Sequence, residues 1–169
     1  MSIPTHQDRF LQLLDKHRKI LYKVATGYCR NPADRPDLEQ EIVLQLWRSF
    51  DRYDDRYRFS TWMYRIALNV AISFYRSETR RSRHTVAADD SILEIAEDKA
   101  ESGEMDKSLQ LLHQFIARLD ELDRALILLY LDENRYDTIA EILGISETNV
   151  GTKISRIKER LRCDFLNSA

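Results

Sequence analysis

Six polar side chains recur at helical spacing between residues 65 and 83, and four of them are arginines: Arg65, Asn69, Ser73, Arg76, Arg80 and Arg83. A row of guanidinium groups on one helix face can bind successive phosphates of a nucleic acid backbone. A solvated helix surface gives the same pattern, so this stripe alone leaves both interpretations open. The chemistry it favours is electrostatic binding, because arginines held at this spacing carry charge and no nucleophile.

The same segment also carries apolar residues at three- and four-residue steps, on a different face. The stripe consists of Phe59, Met63, Ile66, Val70 and Phe74. This period predicts a long amphipathic helix whose apolar side is buried. The helix therefore presents its cationic face outward from a core.

A second motif lies near the C-terminus, in residues 136–162. Ala140 is small enough for two helices to cross closely, Gly144 permits a left-handed turn, and Ser146 can cap the helix that follows. The apolar residues of the two helices are Ile139, Leu143, Val150, Ile154 and Ile157. This spacing predicts a helix-turn-helix, although any two packed helices with an intervening glycine share part of it. The outward positions that would face a major groove are Thr148, Asn149, Thr152, Lys153 and Arg156.

Composition limits the possible classes of protein. The chain has 169 residues, of which 43% are hydrophobic and 32% charged, and its formal net charge is -2. These values suit one folded domain or two small ones, and argue against indiscriminate coating of nucleic acid. Two cysteines and four scattered histidines show no metal-ligand spacing, and no phosphate-binding loop or nucleophile elbow is visible. We therefore expect no catalytic residues, no metal and no cofactor.

Neither a signal sequence nor a membrane span is visible. Charged residues interrupt the early apolar residues, and the longest apolar run, 125–131, is too short to cross a bilayer. The sequence predicts a cytoplasmic protein without direct membrane insertion.

The patterning is helical nearly throughout, which predicts an all-α fold. We expect a first helix over 8–28 and a second from Pro36, with a buried stripe of Leu38, Ile42, Val43, Leu46, Trp47 and Phe50. Residues 51–58 are too irregular for a helix and predict a loop, with Ser60 or Thr61 as the next cap. Both Cys29 and Cys163 are expected to be partly buried. Asp120 and Asp123 stand at the cap and third positions of a later helix.

Two small helical domains are predicted, joined by an acidic flexible linker. From Asp89 to Lys107 there are eight acidic and two basic residues, whereas four arginines face one glutamate between Ser73 and Arg83. The expected bounds are 8–83 for the first domain, 84–107 for the linker, with weak helical content at 92–96, and 108–166 for the second domain.

Three segments in this order resemble the extracytoplasmic-function group of sigma-70 family factors of bacterial RNA polymerase. They read DLEQEIVLQLW, FSTWMYRIALNVAISFYR and YDTIAEILGISETNVGTKISRIKERL. The resemblance covers nearly the whole chain and implies regions 2 and 4 of the family. It further implies core RNA polymerase and promoter DNA as partners, and an anti-sigma factor that is often membrane-bound. No small-molecule substrate is implied.

The resemblance assigns roles to particular residues. The family's segment that docks on a coiled coil of the largest polymerase subunit corresponds to Asp37, Leu38, Gln40 and Glu41. Recognition and opening of the minus-10 element match Tyr57, Phe59, Thr61, Trp62, Arg65, Asn69, Arg76, Arg80 and Arg81. Recognition of the minus-35 element matches Ser146, Thr148, Asn149, Thr152, Lys153 and Arg156.

Two other classes of protein share parts of this pattern. One is a regulator that binds duplex DNA through its helix-turn-helix without polymerase, and the other is a sigma mimic that titrates a regulator. A duplex-only regulator has no use for a melting segment, and a mimic has no use for two cationic DNA faces. Lys153 departs from the arginine common in the family, so the family's base preference does not transfer to this chain.

Overall fold

The computed structural model describes residues 2–84 and 104–168, and every regular element within those ranges is a helix. Eight α-helices are present there: α1 His6–Lys16, α2 Arg18–Tyr28, α3 Arg35–Ser49, α4 Phe59–His84, α5 Glu104–Arg118, α6 Glu121–Leu131, α7 Tyr136–Leu143 and α8 Glu147–Asn167. Short 3-10 turns cover Pro32–Asp34 and Phe50–Arg52. The all-α prediction is confirmed, and the weak helix predicted at 92–96 lies outside the described residues.

The single first helix expected over 8–28 is wrong, because the chain breaks at His17. The backbone N–H of His17 donates to the carbonyls of Leu13 and Leu14, and its φ of -112° and ψ of 18° end α1 before α2 begins. The break lets α1 fold back on α3, where Phe10 contacts Trp47 and Phe50 at ring distances of 5.1 Å. Apolar spacing continues through such a break, so periodicity alone does not reveal it.

The start of α4 also differs from the expected cap. The helix begins at Phe59, so Ser60 and Thr61 lie inside its first turn and do not cap it. The backbone N–H of Trp62 already bonds to the carbonyl of Arg58.

The buried face of α4 is rotated from the predicted stripe. Phe59 and Met63 are buried as expected, whereas Ile66, Val70 and Phe74 are only half-buried. The remaining buried positions are Tyr64, Ala67, Leu68 and Ala71. The shift arises because α4 packs against α2 and α3 and also against α7, so its core face follows two sets of neighbours.

The predicted stripe of α3 is likewise only partly buried. Leu38, Ile42, Leu46 and Phe50 are buried, Val43 is half-buried, and Trp47 is 40% exposed.

Cys29 is buried, but Cys163 is exposed on α8, which contradicts the expectation that Cys163 is partly buried.

The local signals of the C-terminal helices are confirmed. The Asp120 carboxylate accepts from the Asp123 N–H at 2.8 Å, and Gly144 adopts a left-handed φ of 68°. The Ser146 hydroxyl accepts from the Asn149 N–H at 3.1 Å. Val150, Ile154 and Ile157 are the buried residues of α8, as predicted. The turn between α7 and α8 therefore has helix-turn-helix geometry.

The helices up to α4 and those from α5 onward form two groups that pack on each other. Helix α4 contacts α7, and α2 contacts both α5 and α6. Gly27 allows the close approach of α2 and α6, because a Cβ built at this position would lie 2.7 Å from Leu128 Cδ1. The two groups are called the N-terminal and C-terminal domains below.

Candidate nucleic-acid and partner interfaces

The cationic face of α4 is exposed over most of its length. Arg65, Asn69 and Arg80 are exposed, in agreement with the polar stripe of the sequence, and Arg81 beside them is exposed as well. Arg76 is also exposed, but its Nε donates to Glu121 Oε2 of α6 at 2.7 Å. One arginine of the candidate phosphate-binding face is therefore held by the other domain.

The aromatic residues at the start of α4 form a cluster with the preceding turn. Trp62 is half-buried, with ring centroids 5.0 Å from Tyr53 and 5.3 Å from Phe59. Phe59 is only 5% exposed and meets Tyr53 edge-on, which leaves it little surface for direct contact with a base. Phe59 thus supports its neighbours, whereas Trp62 and the adjacent Thr61 are half-buried and keep surface that a partner can touch.

The loop before α4 is held by its own polar contacts. The Tyr53 hydroxyl donates to the Tyr57 carbonyl at 2.8 Å, and the Arg56 guanidinium donates three hydrogen bonds to the Asp54 carboxylate. Hydrogen bonds from Arg56 lower the pKa of Asp54. These contacts project Tyr57, whose side chain is 57% exposed, beside the aromatic cluster. The loop therefore offers the exposed ring of Tyr57 to a partner.

The second helix of the helix-turn-helix presents its predicted reading positions outward. The exposed residues are Ser146, Thr148, Asn149, Thr152 and Arg156, whereas Lys153 is half-buried. The Thr152 hydroxyl donates to the Thr148 carbonyl at 3.0 Å, so that hydroxyl already has a partner on its own helix. Asn149 and Lys153 are four residues apart and project from one side of α8.

The acidic face of α3 is exposed, with one exception among the predicted docking residues. Asp37, Gln40 and Glu41 are exposed, whereas Leu38 has no exposed surface. Leu38 therefore anchors α3 in the core, and only the three polar residues can touch a partner. The correction follows from the helical period, because Leu38 and Ile42 share the inward side of α3.

An apolar groove borders this acidic face, and the sequence reasoning missed it. The groove has a volume of about 810 Å³ and lies between α1 and α3. Leu11, Leu44 and Trp47 line it with exposed fractions of 50%, 41% and 40%, and Gln40 stands at its edge. The sequence did contain a signal for the groove, because α3 has more apolar residues than a single buried stripe of a helix requires. An exposed aromatic beside two leucines is typical of a protein-binding site.

One cluster of potential metal ligands exists among the described residues, although no spacing in the sequence indicates it. The thiol of Cys29 and the carboxyls of Asp34 and Glu78 lie within 4.8 Å of one another. Burial raises the pKa of the thiol to about 11, and burial followed by the charge of Asp34 raises the pKa of Glu78. We assign no metal to the cluster, because the Cys29 thiol has to lose its proton before it can bind a cation and its pKa is raised.

Within residues 2–84 and 104–168, no helix has both the length and the apolar character needed to cross a membrane.

Comparisons with known proteins identify both halves of the chain. The family model of sigma-70 region 2 matches residues 13–81, and that of sigma-70 region 4 matches residues 109–161. The ECF RNA polymerase sigma factor SigW of Bacillus subtilis (strain 168) is 29% identical over 170 residues, covering 92% of this chain and 88% of the relative. The ECF RNA polymerase sigma-E factor of Haemophilus influenzae is 28% identical over 165 residues, covering 90% of this chain and 85% of the relative.

Two solved structures share the fold. CnrH in complex with the cytosolic domain of CnrY matches with a TM-score of 0.69 and 21% identity, over 96% of this chain and 90% of that one. The sigma factor RpoE of Bartonella quintana, in complex with the anti-sigma factor NepR, matches with a TM-score of 0.70 and 21% identity, over 94% of this chain and 95% of that one. The fold therefore extends across both domains of the chain.

Proposed function

We infer how the two domains of this chain give RNA polymerase its promoter specificity. The chain belongs to the sigma-70 family and to its extracytoplasmic-function group. It is a sigma factor that binds core RNA polymerase and directs promoter-specific initiation of transcription. The observation that supports the assignment of surfaces is that α4 and α8 each present an exposed polar face, while α3 presents an acidic edge beside an apolar groove. A regulator that binds only duplex DNA needs neither α4 nor the α3 surface.

The polymerase-docking site that we propose combines the acidic edge of α3 with the apolar groove. Asp37, Gln40 and Glu41 supply charge and hydrogen bonds for a basic helical partner. Trp47 and Leu44 supply the apolar contact area that stabilises the complex once it has formed. Charged edges mainly steer and orient a partner, whereas a buried aromatic anchor contributes most of the binding free energy.

For promoter opening, we propose that Thr61, Trp62 and Tyr57 hold an unstacked base of the minus-10 element. Arg65, Arg80 and Arg81 would then hold the adjacent backbone, and Asn69 lies on the same exposed face. Stacking and phosphate contacts together offset an unpairing cost of a few kcal/mol per base. No bond is made or broken in this process, and no enzymatic family is indicated for the chain.

The reading of the minus-35 element is assigned to α8, through Asn149, Lys153 and their exposed neighbours. The helix begins directly at the Ser146 cap, so its first turn can enter a major groove while its backbone N–H groups face the phosphates. We place the protein in the cytoplasm, where its polymerase partner acts. By analogy with the complexes of its structural neighbours, we also propose that an anti-sigma factor binds it.

Run-off transcription by core polymerase over fragmented genomic DNA, with and without the protein, tests the function as a whole. New, discrete transcripts that depend on the protein are expected. Unchanged transcript patterns, together with duplex binding by the protein alone, would instead support the regulator.

Reversing Glu41 to Arg is expected to weaken association with core polymerase several-fold without changing helicity. The reason is that an exposed interface charge affects partner choice more than stability of the fold. Competition for core polymerase by fluorescence anisotropy measures the effect. The matched control is Asp15→Arg on α1, an equal charge reversal at an exposed site outside the α3 face. Equal affinities for both variants and the wild type contradict the assignment of this face.

Replacing Arg80 by Ala is expected to reduce the salt slope of promoter binding by the holoenzyme by roughly one and to weaken different promoters about equally. Arg80 is the suitable position, because Arg76 is already paired with Glu121. Titrations at several salt concentrations measure the slope, with Arg18→Ala on α2 as the control. A promoter-dependent loss at constant slope would show that Arg80 reads bases.

A further inference from the structure

The loop before α4 is tied to α1 by an ion pair between residues that are distant in the chain. Arg9 Nη2 donates to Asp55 Oδ1, and the two residues are 46 positions apart. The guanidinium carbon of Arg9 also lies 5.9 Å from the centroid of the Phe50 ring, within the range of a cation–π contact. Arg9 therefore contacts both the loop and the 3-10 turn from which the loop begins.

A second residue of α1 meets the same turn. His6 Nε2 and Asp51 Oδ1 are 2.8 Å apart. His6 and Arg9 are three residues apart and share one face of α1, so this face meets the turn and the loop together. Phe10, which is only 3% exposed, anchors the helix in the core. The contacts to the loop thus come from an element whose own position is fixed by packing.

The hydrogen bonds inside the loop hold its shape, whereas other contacts attach it to the domain. The Tyr57 N–H, for example, donates to the Asp54 carbonyl at 3.0 Å. Attachment comes from the Tyr53 ring, which packs in the aromatic cluster, and from the ion pair between Arg9 and Asp55. Asp55 is two residues before Tyr57, so the ion pair restrains the part of the loop that carries the exposed ring.

We propose that Arg9 is a positioning residue for promoter opening, which holds the loop so that the Tyr57 ring stands beside the aromatic cluster before DNA binds. This inference rests on the proposed function, since it assumes that Tyr57 and Trp62 hold an unstacked base. Without the ion pair the loop samples more orientations, and capture of the base then has to order it at a cost in entropy. Arg9 acts through Asp55 and touches no base itself.

A different face of α1 lines the apolar groove, so the two roles of this helix can be separated by mutation. The groove residues of α1 are Gln7, Phe10 and Leu11, and Arg9 does not line the groove. Variants of Arg9 should therefore keep the affinity for core polymerase while they weaken the capture of a base. Competition for core polymerase measures the first property.

Replacing Arg9 by Ala is expected to weaken binding of a single-stranded minus-10 oligonucleotide to the holoenzyme by about two- to five-fold. The side chains of Arg9 and Asp55 are 47% and 66% exposed, and an exposed ion pair stabilises one loop orientation only modestly. Arg9→Glu places a like charge beside Asp55 and should weaken binding at least as much. Arg9→Lys keeps the charge and should retain most of the affinity. Fluorescence anisotropy of the labelled oligonucleotide measures these values.

A charge exchange identifies the partner of Arg9. Asp55→Arg alone should weaken capture of the base, and the double variant Arg9→Glu with Asp55→Arg should restore most of the loss. The matched control is the same exchange between Asp15 and Arg18, an exposed pair outside the loop with a separation of 3.9 Å. Neither the single nor the double control variants should change capture. Circular dichroism and thermal melting check the fold of every variant.

Abasic oligonucleotides distinguish positioning of the loop from binding of phosphates. Each base of the minus-10 element is removed in turn while the phosphates are kept, so the ratio of intact to abasic affinity reports capture of that base alone. In the wild type this ratio should be high at one position or more. It should fall in Arg9→Glu and recover in the double variant. A charge that acts on phosphates changes both affinities together and leaves the ratio unchanged.

An unchanged ratio in Arg9→Glu, or a ratio that does not recover in the double variant, overturns the positioning role. A wild-type holoenzyme that prefers no intact base overturns it as well. Run-off transcription by the wild type separates this inference from the proposed function. Normal transcription together with any of these results overturns the role of Arg9 alone, whereas a wild type that directs no transcription overturns the proposed function and the inference with it.

Discussion

Replacing Trp47 by Ala is expected to weaken binding to core polymerase by about thirty-fold or more. Truncating an aromatic anchor at the centre of a protein interface costs about 2 kcal/mol or more, which corresponds to that factor. Trp47 is 40% exposed on the groove between α1 and α3, beside the acidic edge that steers the partner. Competition of labelled wild type and unlabelled variant for core polymerase measures the loss.

A second groove variant separates binding from folding. Trp47 also packs on Phe10 inside the N-terminal domain, so its truncation can lower thermal stability. Leu44→Glu changes a 41% exposed groove residue and should weaken binding to a similar extent with little loss of stability. Tyr22→Ala, which removes a 61% exposed aromatic outside the groove, is the control. If all three variants bind polymerase as the wild type does, the groove is not the docking site.

Replacing Asn149 or Lys153 by Ala is expected to relax base preference in the minus-35 element while leaving core binding intact. An amide side chain can pair with adenine through two hydrogen bonds, and an ammonium group can donate to guanine, each contributing about 1–3 kcal/mol of discrimination. Both side chains project from one side of α8, so they should govern one or two adjacent base pairs. Selection of bound sequences from a randomised minus-35 element by wild-type and variant holoenzymes measures the preference.

The competing explanation is that Asn149 only stabilises the start of α8. The geometry favours readout, because the Ser146 hydroxyl already accepts from the Asn149 backbone N–H and supplies the cap. A capping role predicts a loss of about 1 kcal/mol in domain stability with unchanged base preference. Ser146→Ala is the matched variant for the stability measurement, since it removes the hydroxyl that caps α8 and should lower the stability of the domain by a similar amount. Identical preferences for wild type, Asn149→Ala and Lys153→Ala rule out direct reading by this pair.

Local sequence signals were sufficient for the secondary structure around the helix-turn-helix. Gly144 is left-handed because a residue without Cβ adopts that conformation at low cost, and Ser146 and Asp120 cap their helices through short side chains. The exposed stripe of Arg65, Asn69 and Arg80 also follows from spacing alone. In each case the relevant interactions lie within a few residues along the chain.

Predictions about which face is buried were less complete, since burial depends on neighbours far along the chain. Phe59 and Leu38 match binding motifs of the family, yet both are core residues whose contribution is to position α4 and α3. Trp47 follows the period of the buried stripe, but the turn of α1 at His17 leaves it on the rim of a groove. Periodicity distinguishes the faces of a helix but does not say which neighbour covers each face.

The sequence by itself determined an all-α chain, the exposed polar faces of α4 and α8 and the family to which the chain belongs, because helix periods, caps and short motifs are local properties. Only the tertiary structure decided how the two domains meet. Gly27, Arg124 and Asp132 show no distinctive spacing, and their partners Leu128, Tyr75 and Tyr64 lie far away in sequence. A carbonyl, a ring face or a hydroxyl becomes a partner for such groups only when folding brings distant helices within a few ångströms.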